Sequence, residues 1–299
     1  MKTKLLLVIL WLCLSQTAFA LSPYLRADKL GAADLPTLMT QVEKKLTAEG
    51  FTLAGRYVPR GSAQHGTVVV TDPGMLLAIR NLGGSAVIAA GIRIGVQSDG
   101  TVSYMTPEYW YRAYLRSQYN QAETAVRSVE TRLAKALGGG TPFGGDVAAG
   151  ALATYRYMAP MERFDSLNSE LAVAGSFEEA VSTVRNNLST RVSGISKVYE
   201  TVYPDKAIAV FGVAMDSQSR GDIWWMSKLG PVGLEHIAGF PYEIFIVRNK
   251  IYALYGKYRI ALAYPSLTLG QFMSIRYAPE EILNALGRVA GASEVRLDN

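Results

Sequence analysis

Ile88-Ala89-Ala90-Gly91 leads into a strand-like run, the turn Ser98-Asp99-Gly100 and a second strand-like run. Ile237-Ala238-Gly239 leads into the same order around Arg248-Asn249-Lys250. An Asp-Gly pair between such runs is a strong hairpin signal, because both turn residues need positive φ. In the second passage Asn249 replaces glycine as the residue tolerant of positive φ. This recurrence decides the reading of the fold, because the text on either side repeats as well.

Before the first hairpin, residues 35–48 carry Leu38, Val42 and Leu46 at four-residue spacing, one buried stripe of a helix. Gly50 closes it. Residues 51–58 and 66–71 read as strands, the second holding the β-branched run Val68-Val69-Val70. Asp72-Pro73-Gly74 turns the chain into a short helix over 75–81. Residues 86–97 and 101–105 form the hairpin, and Thr106-Pro107-Glu108 opens the next helix. The second half repeats this order. It has an opening strand at 171–174, a helix at 177–188, strands at 193–203 and 206–214, and a short helix at 222–229. Its hairpin runs over 243–247 and 251–258.

A helix over 120–137 joins the halves and ends in Gly138-Gly139-Gly140. The glycine-rich stretch lacks the Lys-Ser/Thr of a phosphate loop and follows a helix rather than a strand, so it reads as a flexible linker. A last helix spans 279–289. The predicted fold class is α+β, as two related domains, each an antiparallel sheet with helices packed on one face. The predicted divisions are a signal at 1–20, a first domain with its connecting helix at 21–137, a linker region at 138–164 and a second domain at 165–299.

Lys2 and Lys4, an apolar run from Leu5 to Leu14, and Ala18 with Ala20 make an export signal with cleavage after Ala20. The run is too short to span a bilayer. Cys13, the single cysteine, leaves with the signal, which excludes disulfides and thiolate chemistry from the mature chain. The remaining basic residues are scattered, which argues against nucleic acid as a partner. No later apolar run calls for membrane insertion. A periplasmic home follows, with secretion as the alternative.

Three stretches of the first half carry a family likeness. They are Lys44-Lys45-Leu46-Thr47-Ala48-Glu49-Gly50-Phe51, Thr67-Val68-Val69-Val70-Thr71-Asp72-Pro73, and Asp99-Gly100-Thr101-Val102-Ser103-Tyr104-Met105-Thr106-Pro107-Glu108-Tyr109-Trp110. This half resembles the DUF302 family of small α+β domains, which has no assigned biochemical role. The resemblance implies a fold and self-association, and it supplies no catalytic residue. The second half follows it weakly. There Lys257-Tyr258 stands near the place of Thr106-Pro107, so the helix start is expected to be lost or displaced.

Chemistry-bearing residues are sparse. His65 lies in a polar loop, and His236 adjoins Glu235, where neighbours on a strand would point apart. The sequence has neither G-x-S-x-G nor H-E-x-x-H. Met158 and Met161 lack a third soft ligand and read as packing. No catalytic residue, metal or cofactor is therefore predicted. Tyrosine and tryptophan are the better lead, since they join apolar area to a polar tip. Tyr104, Tyr109, Trp110 and Tyr111 at the first hairpin–helix junction, with Tyr252 and Tyr255 at its counterpart, are the candidate binding residues. On a helix Tyr109, Trp110 and Tyr111 spread over about 200°, so at least one is expected at a surface or against another body. The resulting expectation is a non-catalytic exported protein that binds a small apolar or aromatic ligand, or an envelope partner, with a homo-oligomer among the partners. The alternatives are a cofactor-free hydrolase or isomerase and an assembly accessory of an envelope complex.

Overall fold

The computed structural model describes residues 19–217 and 221–292. Positions 1–18 of the expected signal lie outside them. The chain opens with β1 (Ala20–Leu21), β2 (Tyr24–Arg26), α1 (Leu35–Ala48), β3 (Thr52–Tyr57), β4 (His65–Thr71) and α2 (Pro73–Leu82). A 3-10 segment, Gly84–Ala90, precedes β5 (Ile92–Gln97), β6 (Val102–Met105), α3 (Pro107–Leu115), α4 (Tyr119–Leu137), β7 (Thr141–Phe143) and β8 (Val147–Ala148). The second half holds β9 (Glu170–Val173), α5 (Phe177–Ser189), β10 (Ile195–Tyr203), β11 (Ile208–Met215), α6 (Asp222–Met226) and α7 (Pro231–Glu235). A second 3-10 segment, Ile237–Gly239, precedes β12 (Tyr242–Val247), β13 (Lys250–Ala253), α8 (Gly256–Ala263), α9 (Leu269–Ser274) and α10 (Ala278–Val289).

The fold is α+β, with antiparallel pairing in both main sheets. One sheet runs β3-β4-β5-β6-β2-β7 and the other β10-β11-β12-β13-β9. Apart from β7, the two orders match position by position.

Local chemistry accounts for the elements. Asp34 caps α1 through Thr37 N, and Leu38, Met39, Val42 and Leu46 turn one buried side toward β4 and β5. Asp72 caps α2 through Met75 N. In β4, Val68, Val69 and Val70 are all fully buried, so the strand is covered on both faces. Helix α1 covers one face. The 3-10 segment Ile237–Gly239 of the other half lies against β4, β5 and β6. Reciprocally, Gly84–Ala90 of the first half lies against β11 and β12, while α5 packs on β10, β12 and β13. One hydrophobic core therefore runs through both halves.

Several expectations need correction. Residues 86–90, expected in the first hairpin, belong to the 3-10 segment, and 256–258, expected in the second, open α8. The stretch read as a flexible linker is built into the sheet, where β7 pairs with β2. Gly138 takes φ +98 with Asp28 against it, so a Cβ there would fall 2.5 Å from the Asp28 carboxyl carbon. The helix start of the second half is not lost either. Tyr104 pairs with Ile94 and Ala253 with Ile244, and three residues beyond each, at Pro107 and Gly256, a helix begins. Gly256 serves there because its Cα lies against the backbone of Pro279.

Interlocked halves with a shared core should unfold together. Thermal unfolding followed by tryptophan fluorescence and by far-ultraviolet circular dichroism should give one coincident transition. Limited proteolysis should spare 138–145. Two separated transitions, or first cleavage in that stretch, would contradict the interlocked arrangement.

Candidate functional site

The junction between the halves holds a set of charges deep in the core. Arg93 on β5 and Glu243 on β12 are both buried, with Nη1 donating to Oε1 at 2.5 Å. Arg259 on α8, also buried, donates from Nε to the other carboxylate oxygen at 3.2 Å. Its Nη2 reaches the Gly239 carbonyl at 2.5 Å, and Arg93 Nε reaches the Ala238 carbonyl at 3.2 Å. The turn before β12 is thus clamped by both arginines. The Trp110 ring lies 4.4 Å from the Arg93 guanidinium carbon and 4.9 Å from that of Arg259. Burial opposes both positive charges, but Glu243 and the surrounding tyrosine oxygens outweigh it and hold both arginines above their ordinary range.

The predicted aromatic residues surround this set or lie apart from it. Tyr104, Tyr109, Trp110, Tyr111 and Tyr255 are buried, and Tyr252 is half-buried. The expectation that one of Tyr109, Trp110 and Tyr111 reaches another body has a specific counterpart inside the chain. Tyr109 Oη donates to the Leu262 carbonyl of the facing half at 2.9 Å, and Trp110 meets Arg259. All three are buried because α3 is enclosed on several sides, by α4, by Gly84–Ala90 and by the 3-10 segment Ala149–Thr154. Trp110 Nε1 donates to the Pro23 carbonyl and Tyr104 Oη to that of Gly138, both at 2.9 Å. Tyr252 stacks on Phe245 at 5.3 Å, and Tyr255 lies near Lys257; neither has a ring contact with the junction. Sequence reading missed Arg93, Glu243 and Arg259. The available signal was charge inside strand and helix text that is otherwise apolar.

The histidines do not converge. His65 is half-buried in its loop with Nδ1 3.1 Å from Ser62 Oγ, and burial lowers its pKa despite nearby Asp99. His236 is a core residue, stacked on Tyr264 at 4.7 Å. Its Nδ1 lies 3.1 Å from the Ala263 carbonyl, an arrangement that places the hydrogen on Nδ1. Among the described residues no group of histidine, cysteine, aspartate and glutamate could hold a metal ion.

Among the exposed large apolar residues, Leu269 and Met273 share a face of α9 and Tyr277 lies in the turn that follows it; they are 62%, 47% and 57% exposed. The segment beneath them is held firmly. Thr268 and Gln271 form a reciprocal cap, Phe272 stacks on Tyr157 at 6.0 Å, and Tyr157 Oη donates to the Leu267 carbonyl at 2.6 Å. No family model, curated protein or solved structure matches the chain.

Removing one member of a buried ionic set typically costs about 3–5 kcal/mol, whereas replacing the whole set with apolar residues is often neutral. Glu243→Leu, which leaves two arginines uncompensated, should therefore destabilise strongly in urea titrations. The triple Arg93→Leu/Glu243→Leu/Arg259→Leu should recover most of that loss. A triple variant weaker than the single one would show that packing, not charge balance, governs the site.

Asp222 and His236 give stability opposite pH dependences. Burial raises the Asp222 carboxyl from 3.8 to about 7, although Tyr57 Oη donates to it at 2.7 Å and Met215 N at 3.1 Å. The folded chain retains that proton where the unfolded chain loses it. The contribution is complete below 3.8 and is lost as pH rises to about 7. Burial lowers His236 from 6.5 to about 4, so its contribution is complete above 6.5 and is lost as pH falls to about 4. On acidification through this range, Asp222→Asn should lose stability more steeply than wild type and His236→Gln less steeply. Urea midpoints at several pH values check this, and slopes equal to wild type would refute it.

Proposed function

We propose that this chain is a non-catalytic interaction protein of the cell envelope that docks a partner protein through the row Leu269, Met273 and Tyr277. The observation that carries this reading is the exposure of three apolar side chains on a segment that is capped and anchored. A pre-organised apolar surface loses little entropy on binding, which supports a docking role for these side chains. The aromatic-ligand reading has less support, because five of the six side chains proposed to line a pocket lie in the core and only Tyr252 is half-buried. The hydrolase alternative has less as well. His65 and His236 are far apart in role, and neither hydrogen-bonds a carboxylate among the described residues. The likeness to DUF302 and the matched strand orders support reading the halves as diverged copies of one domain.

A photoreactive amino acid at Leu269 or Met273 should crosslink to one discrete species in cells, while one at exposed Lys44 should not. Leu269→Glu with Met273→Glu should abolish the crosslink formed from Tyr277. Stability should stay within about 0.5 kcal/mol of wild type, as for surface changes. A crosslinked species that is a second copy of this chain would identify the partner as self. The same crosslinks from Lys44, or none from the row, would overturn the docking reading. The exported protein should be recovered from the periplasmic fraction with Leu21 first, and recovery of a Met1 terminus in membranes would remove the envelope assignment.

A further inference from the structure

A groove of about 310 Å³ opens between the start of β10, the end of β11 and one side of α10. It shares no residue with the charged junction or the apolar row. Glu281, Ala285 and Arg288 line it at i, i+4 and i+7, so a single helix face forms that wall. Ile195 and Met215 supply an apolar floor, and the small side chain of Ala285 leaves depth beside them.

The opposite wall is an unusual loop. Arg191 and Ser193 take φ +57 and +56, left-handed values that L residues avoid, and Gly194 follows at +72. The loop is held in place from several directions. Arg191 Nη2 donates to Asp216 Oδ2 at 2.9 Å, Ser196 Oγ donates to the same oxygen at 3.0 Å, and Asp216 N donates to the Gly194 carbonyl at 2.8 Å. Arg288 Nε then donates to Ser193 Oγ at 2.6 Å. Backbone strain maintained in this way clusters at ligand clamps.

The consequence for chemistry lies with Arg288. Its Nε is engaged, and among the described residues its two terminal nitrogens make no hydrogen bond. A guanidinium fixed by one nitrogen and open at the others is suited to a carboxylate. Glu281 stands two turns away, about 10 Å along the helix axis. A carboxylate has about four lone-pair sites, so it can accept an ammonium group beside another donor. An extended dipeptide spans about 7 Å, short enough for each terminus to meet one of these side chains.

We propose that this groove binds a short apolar peptide with free termini. Its carboxylate pairs with Arg288, its ammonium pairs with Glu281, and its side chains lie on Ile195, Met215 and Ala285. The test is calorimetric titration of the full exported protein with L-alanyl-L-leucine, its C-terminal amide and its N-acetyl derivative. The free dipeptide should bind, and each blocked derivative should bind at least about tenfold more weakly, as expected when a charge-assisted pair is lost. Arg288→Gln should erase the preference for the free carboxylate, and Glu281→Gln the preference for the free amine. Ala285→Leu should fill the groove and block binding while melting like wild type. Absence of heat at millimolar dipeptide would overturn the proposal. Binding indifferent to Arg288→Gln and Ala285→Leu would place the peptide elsewhere and overturn it equally.

Discussion

A carboxylate held between two guanidiniums in a dry core is the interaction on which the rest of this structure depends. Each ion taken from water costs several kcal/mol, and only close pairing offsets that cost. Arg93 comes from one half of the chain, and Glu243 and Arg259 come from the other. The second half carries the Glu243–Arg259 pair, but the first half alone would bury Arg93 without a compensating charge. We read the set as an alignment device, because slippage of β5 relative to β12 would separate charges that have no water to turn to. Trp110 beside both guanidiniums adds a π face that tolerates positive charge.

The tyrosines solve a second problem posed by burial. The last carbonyls of a helix lack partners within it. In α8 those carbonyls lie inside the protein, where water cannot serve them. Tyr155, Tyr109 and Tyr24 donate their hydroxyls to the carbonyls of Ala261, Leu262 and Ala263 at 3.0, 2.9 and 2.9 Å. Two of these donors belong to the first half and one to the connecting segment. Phenylalanine in place of Tyr155 or Tyr109 would fill the same space and leave the Ala261 or Leu262 carbonyl bare, at a cost of about 1–3 kcal/mol for each unsatisfied group, while the Ala263 carbonyl would keep His236 Nδ1. The aromatic richness is therefore tied to closing a helix across the junction.

Much of the local structure is legible in residue order. The four-residue spacing of Leu38, Val42 and Leu46 marks α1, the valine run marks β4, and Asp72-Pro73 marks the turn into α2. Other elements are not legible, for identifiable reasons. Gly138 to Gly145 has the composition of a linker, yet its pairing with β2 is a contact between residues more than a hundred positions apart. Gly256 opens a helix without any capping signature, because close approach to Pro279 replaces the usual side-chain cue.

By itself the sequence determined the α+β class and the positions of the two hairpin turns. Those features rest on hydrophobic period and on turn composition, both of which are local properties, although the residue at positive φ is Gly100 alone in the first hairpin and Arg248 rather than Asn249 in the second. Only the tertiary structure decided which side chains face inward between the halves. Tyr109, Trp110 and Tyr111 have the pattern of a partly exposed helix, and their burial depends on what encloses α3. Arg93 and Glu243 look like ordinary charges in their own strands. They become a buried pair only when strands far apart in sequence are brought together, because ion pairing depends on separation in space rather than along the chain.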